Sequence, residues 1–113
     1  MSLVETYIRD ARQVIVKALA TKDSLTLSTT HLDVELQRFG IIEPDEWLFD
    51  QLDWLARMGV ITVRAEGSVR VATLTKKGVD HVSGRRKLEG IGRPTLASLG
   101  VDLIAESLKN RGE

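Results

Sequence analysis

The chain has no cysteine and only two prolines, and its aromatic residues are two tryptophans, two phenylalanines and one tyrosine. Without cysteine there is neither a disulfide framework nor a thiolate metal site, which suits a reducing cytoplasm. His31 and His81 lie far apart, and neither has a second ligand at metal spacing, so no metal or other cofactor is expected. No stretch approaches the ~18 apolar residues of a membrane span, and the N-terminus lacks the apolar run of a signal peptide. The reading is therefore a cytoplasmic protein without membrane contact. Net charge is also missing, because 16 lysines and arginines balance 16 acids. That excludes the one-sided basic excess of a typical nucleic-acid binder. A chain of 113 residues, 42% of them hydrophobic, can build one modest core.

The balance conceals two opposed blocks. Between residues 31 and 58, Asp33, Glu35, Glu43, Asp45, Glu46, Asp50 and Asp53 face only Arg38 and Arg57. Between 64 and 93, Arg64, Arg70, Lys76, Lys77, Arg85, Arg86, Lys87 and Arg93 outnumber Glu66, Asp80 and Glu89. The molecule is bipolar, a pattern that favours oriented association over diffuse attraction to polyanions.

Hydrophobic spacing orders the elements. Val4, Ile8, Ala11, Ile15 and Ala18 form a helical stripe and predict a first helix over 2–21. Leu25-Thr26-Leu27-Ser28 alternates as a short strand. Thr30 to Asp33 has capping-box spacing and opens a second helix through Phe39, with Leu32, Leu36 and Phe39 inward and Gly40 as its left-handed stop. Pro44 is placed as the first residue of a third helix, with Leu48, Leu52 and Leu55 inside and Gly59 after it. Residues 60–65 and 69–74 alternate around Glu66-Gly67-Ser68. A three-residue loop there sets Ala65 opposite Val69 and Arg64 opposite Arg70, a like-charge pair that argues for a bound anion or for a register shifted by one. Thr75 caps a fourth helix through Val82. The stretch 83–94, rich in glycine and arginine, reads as an arm or linker. Ala97, Val101, Ile104 and Leu108 then predict a C-terminal amphipathic helix within 95–113.

The fold class expected is α+β, mostly helical, in the order helix, strand, helix, helix, hairpin, helix over residues 1–82. Leu52 to Ile61, the hairpin, and Leu74-Thr75-Lys76-Lys77-Gly78 carry the signature. This resembles the winged helix-turn-helix domain of ArsR- or MarR-type regulators. The passage from the hairpin through Leu-Thr-Lys-Lys-Gly to Gly90-Ile91-Gly92-Arg93-Pro94 is similar to small winged-helix proteins of Mu-like phages and prophages. The first resemblance implies DNA binding through the third helix and the wing. The second implies a phage accessory protein of no stated activity.

The residues oppose the first implication. With the leucines inside, the outward face of the third helix carries Glu46, Asp50, Asp53 and Arg57, and Asp53 and Arg57 are one turn apart and placed to pair. Three carboxylates would face a duplex that presents about one negative charge per 1.7 Å. Base readout leans on Arg, Lys, Asn and Gln, and only Gln51 and Arg57 are at hand. Nucleic acid, if bound, would meet Arg64, Arg70, Lys76, Lys77, Arg85, Arg86 and Lys87 instead. The plain reading of those bases is a solvated hairpin edge and linker.

The first expectation is a non-enzymatic module acting through protein–protein contact, with a protein partner or a second copy bound. Glu46, Trp47, Asp50 and Asp53 on the third helix are the interface candidates, with Val101, Ile104 and Leu108 on the last. The alternative is a transcriptional regulator that holds DNA through the wing and the basic arm. Asp80, His81 and Ser83 are the residue types of a catalytic relay, but chain neighbours do not make one. Their ordinary place is a polar helix surface.

Overall fold

The computed structural model describes residues 2–92. Helix α1 (Leu3–Ala20) precedes strand β1 (Thr26–Ser28), α2 (Thr29–Arg38), α3 (Asp45–Arg57), the hairpin β2 (Ile61–Glu66) and β3 (Val69–Leu74), and α4 (Lys76–Val82). The class is α+β as expected, with helices taking about half of the described chain rather than most of it. The expected C-terminal helix, with Val101, Ile104 and Leu108, lies outside the described residues.

Ser2 caps α1 by accepting the Glu5 N–H at 3.1 Å, and Ala11, Ile15, Ala18 and Leu19 turn inward. Val4, placed in the same stripe by its spacing, is 67% exposed, because the first turn of α1 overhangs the packed body. The expected capping box does not form. Helix α2 starts after Ser28, which makes no side-chain cap bond, and the Thr29 hydroxyl instead accepts the Arg70 N–H at 3.1 Å. That bond ties the start of α2 to β3. Phe39 is the C-cap of α2 and 43% exposed, not part of the core. Gly40, at φ +77, and Ile41 close the helix by donating to the carbonyls of Gln37 and Leu36. Pro44 precedes α3 as its cap, one position earlier than expected.

The three strands form an antiparallel sheet in the order β1-β3-β2. Register in the hairpin differs by one from the three-residue-loop reading: Glu66 pairs with Val69, Ala65 with Arg70 and Arg64 with Val71. The loop has two residues, Gly67-Ser68, and Gly67 takes φ +60, as the tightest hairpin turns require at that position. The shift dissolves the Arg64–Arg70 clash by sending the two arginines to opposite faces of the sheet. Arg70 joins Ile61, Val63, Ala72 and Leu74 on the face toward the helices, while Arg64 pairs with Glu66 on the other.

The core unites every element. Ile15 and Leu19 of α1, Leu32 of α2, Leu52 and Leu55 of α3 and Ile61 of β2 are at most 2% exposed. Each such side chain contributes roughly 1.5–3 kcal/mol from area removed from water. The segment after α4, read as an arm or linker, is packed instead as far as residue 92. Arg85 and Arg86 donate backbone N–H groups to the Asp80 carbonyl, and Gly92 donates to the Arg9 carbonyl at 2.9 Å. Between them Leu88 and Ile91 enter the core, the latter fully.

Candidate functional site

Helix α3 presents its outward face as the spacing dictated. Glu46, Asp50, Asp53 and Arg57 are all exposed, while Leu48, Gln51, Leu52 and Leu55 are buried. Asp45 and Glu46 occupy the first turn, where carboxylates complement the positive end of the helix. Asp53 does not pair with Arg57. It receives Arg70 Nη1 from the hairpin at 2.8 Å, and the same guanidinium lies 4.4 Å over the Phe49 ring. Gln51, counted among the few groups able to read a base, is buried and accepts Arg12 Nε at 2.9 Å.

The basic candidates divide into two sets. Arg64 is matched by Glu66, Arg70 by Asp53 and Lys76 by Asp80, while Lys77 Nζ donates to the Met58 carbonyl at 2.7 Å. These four are the satisfied charges of the plain reading. Arg85, Arg86 and Lys87 are exposed, and among the described residues no acid pairs with them. The fold gathers them on the turn after α4, where Arg85 and Arg86 donate backbone N–H groups to the Asp80 carbonyl.

The tryptophans take different roles. Trp47 is partly buried and meets Tyr7 at 5.9 Å between ring centroids; the Tyr7 hydroxyl in turn donates to Glu43 at 2.8 Å. Burial and the nearby Glu43 carboxylate push that phenol upward from its usual range. Trp54 supports Arg12, whose guanidinium lies 3.7 Å over the ring and donates to the Gly90 carbonyl at 2.9 Å. Burial, and then the charge of Arg57, lower the Arg12 pKa from its ordinary value. Sequence reasoning did not find Arg12. Nothing in the sequence set it apart from Arg9 and Lys17, the other bases of α1.

His81 is not on a polar surface. It is fully buried, its Nδ1 accepts the Leu88 N–H at 3.1 Å, and its Nε2–H is held by Gln13 Oε1 at 2.8 Å and the Gly92 carbonyl at 3.1 Å. The backbone N–H at Nδ1 fixes a neutral ring protonated on Nε2. Burial lowers its pKa below the ordinary histidine value, only partly offset by backbone hydrogen bonds. Asp80 pairs with Lys76 and Ser83 Oγ donates to the Asp80 carbonyl, so the three residues do not converge. His81 is the clamp that seats residues 88–92 on α1.

Two faces therefore bear exposed charge: the acidic side of α3 and the basic turn at 85–87. Over 85 residues, 75% of this chain and 88% of the relative, the sequence is 41% identical to the uncharacterized protein gp26 of Escherichia phage Mu. The chain belongs to the gp26 family. That relationship bears out the link to proteins of Mu-like phages drawn from the passage ending at Pro94. No family model matches the chain, and no solved structure does. Among the described residues of this gp26-family chain, no helix is long and apolar enough to cross a membrane.

Proposed function

We propose that this gp26-family protein is a non-enzymatic winged-helix module that acts through protein–protein contact within a phage programme. Its element order and the β1-β3-β2 sheet fit a winged helix, in which α3 is the recognition helix and β2–β3 the wing. The observation that carries the contact reading is the pairing of Asp53 with Arg70. A recognition helix that reads DNA needs its wing's cations free for phosphate. Here the wing's inner arginine neutralises one of α3's own acids, leaving Glu46 and Asp50 to face outward.

The test is affinity capture from the cells that naturally make the protein, comparing the wild type with the double variant Glu46→Lys, Asp50→Lys. Both positions are exposed, so the fold should survive. The reading expects nuclease-resistant partners retained by the wild type and lost by the variant. Equal recovery by both, or recovery abolished by nuclease, overturns it.

A second reading rests on the exposed triplet Arg85-Arg86-Lys87, which no acid pairs among the described residues: phosphate contact from that turn, without base readout. It predicts binding that falls steeply with salt and is indifferent to sequence.

A further inference from the structure

A groove of about 640 Å³ runs between α1 and α2. Ala18, Leu27, Val34 and Phe39 are among its apolar lining, and of its charged lining residues Lys17, Lys22 and Arg38 outnumber Glu35. At the end formed by Phe39 the surface is unusually greasy: Val34 is 48% exposed, Phe39 43%, and Ile42, on the loop to α3, 76%. Three large apolar side chains within nine residues, beside a cavity, mark a contact surface rather than scattered exposure. The acids Glu43, Asp45 and Glu46 immediately follow Ile42. The chain thus carries an apolar knob followed by carboxylates, a few positions along from a groove whose charged lining is mainly cationic.

We propose that the α1–α2 groove receives the Ile42 corner of a second copy of this chain, in a two-fold symmetric dimer. Charge complementarity selects this occupant, since the exposed acids Asp45 and Glu46 after Ile42 match the cationic Lys22 and Arg38 of the groove. Adjacency selects the symmetry. Ile42 is only three positions beyond Phe39, which lines the groove, so an axis beside Phe39 lets each copy give its knob and take the other's. A closed pair results, with no free groove left to propagate a filament. Among the described residues Arg38 is held by a part-exposed pair with Glu35 at 3.4 Å, a weak tie that an incoming carboxylate can replace. The proposal deepens the protein-contact reading and rests on it; the two share Glu46, but Ile42, Arg38 and Asp45, which the dimer test changes, are untouched in the capture experiment, so the two can fail separately.

Sedimentation of the full-length protein from low to high micromolar concentration tests the dimer, with Ile42→Arg, Arg38→Glu and Asp45→Arg as variants. All three positions are exposed, and circular dichroism checks that each variant folds. The expected result is a monomer–dimer equilibrium weakened at least about tenfold by each single change, a difference of ~1.4 kcal/mol. Mixing Arg38→Glu with Asp45→Arg should restore a heterodimer, because each variant repels itself and attracts the other. A wild type that stays monomeric at every concentration overturns the proposal, and so does a groove found filled by the chain's own residues beyond 92. A dimer insensitive to Ile42→Arg and Arg38→Glu overturns it as well, since it would use another face.

Discussion

Arg70 Nη1 sits 2.8 Å from Asp53 Oδ1, a bond between the hairpin and α3 that follows from the hairpin register being shifted by one. Both side chains are part-exposed, at 33% and 50%, so the ion pair itself adds at most about 1 kcal/mol. Its larger consequence is electrostatic. Asp53→Asn should leave the urea midpoint nearly unchanged while freeing Arg70, and low-salt affinity for duplex DNA should rise. Arg70→Ala should cost more, about 1–2 kcal/mol, because the stacking on Phe49 is lost as well. Denaturation curves and DNA titrations of the two variants separate these effects.

The buried imidazole gives the fold a pH dependence of definite sign. His81 is neutral in the folded state, with a pKa lowered by burial, whereas in the unfolded chain it titrates near 6.5. The unfolded state therefore binds the extra proton first. Stability from this group is fully present above about pH 6.5 and declines as pH falls toward the lower folded value. The imidazole carbon-bound proton resonances of His81 should titrate with a midpoint below that of an unfolded histidine, and urea midpoints should drop on acidification. A His81 titration midpoint at or above 6.5 in the folded protein would contradict the clamp.

Residues 88–92 should behave as core. Ile91→Ala removes a fully buried side chain and should cost about 2–4 kcal/mol, while Lys87→Ala, only four positions earlier, should cost almost nothing. Were both changes neutral in thermal unfolding, the segment would be a linker after all.

Gly90 offers a sharper probe of the same packing. It adopts φ +84, and an added Cβ would stand 2.5 Å from the Trp54 ring. Gly90→Ala should dislodge the segment from Trp54 and Arg12. The expected readout is a red shift of Trp54 emission, measured in a Trp47→Phe background, with about 2 kcal/mol or more of lost stability.

Local pattern revealed most of the fold. The leucine stripe of α3 and the Thr75 cap were legible because burial period and capping chemistry are read within a few residues. The register was not, since Glu66-Gly67-Ser68 accommodates a loop of two residues or three. The clash of Arg64 with Arg70 was the only sign that one of them failed. The packing of 83–92 was invisible for another reason. Leu88 and Ile91 are isolated apolar residues held by bonds to His81, Asp80 and Arg9, and no periodicity encodes contacts that distant. The candidate site was legible to the same extent. The acidic face of α3 followed from helical spacing, but its neutralisation by Arg70 and the exposed corner at Phe39 depend on tertiary placement.

The central claim is that α3 is a contact face and not a reader of DNA. Fluorescence anisotropy of labelled duplexes against the wild-type protein, over a series of salt concentrations, tests it most directly. The account predicts no sequence preference. Any binding should vanish as salt rises to physiological strength, and it should depend on Arg85, Arg86 and Lys87. A sequence-preferring complex that persists at physiological salt and is abolished by Asp50→Ala or Arg57→Ala would contradict it.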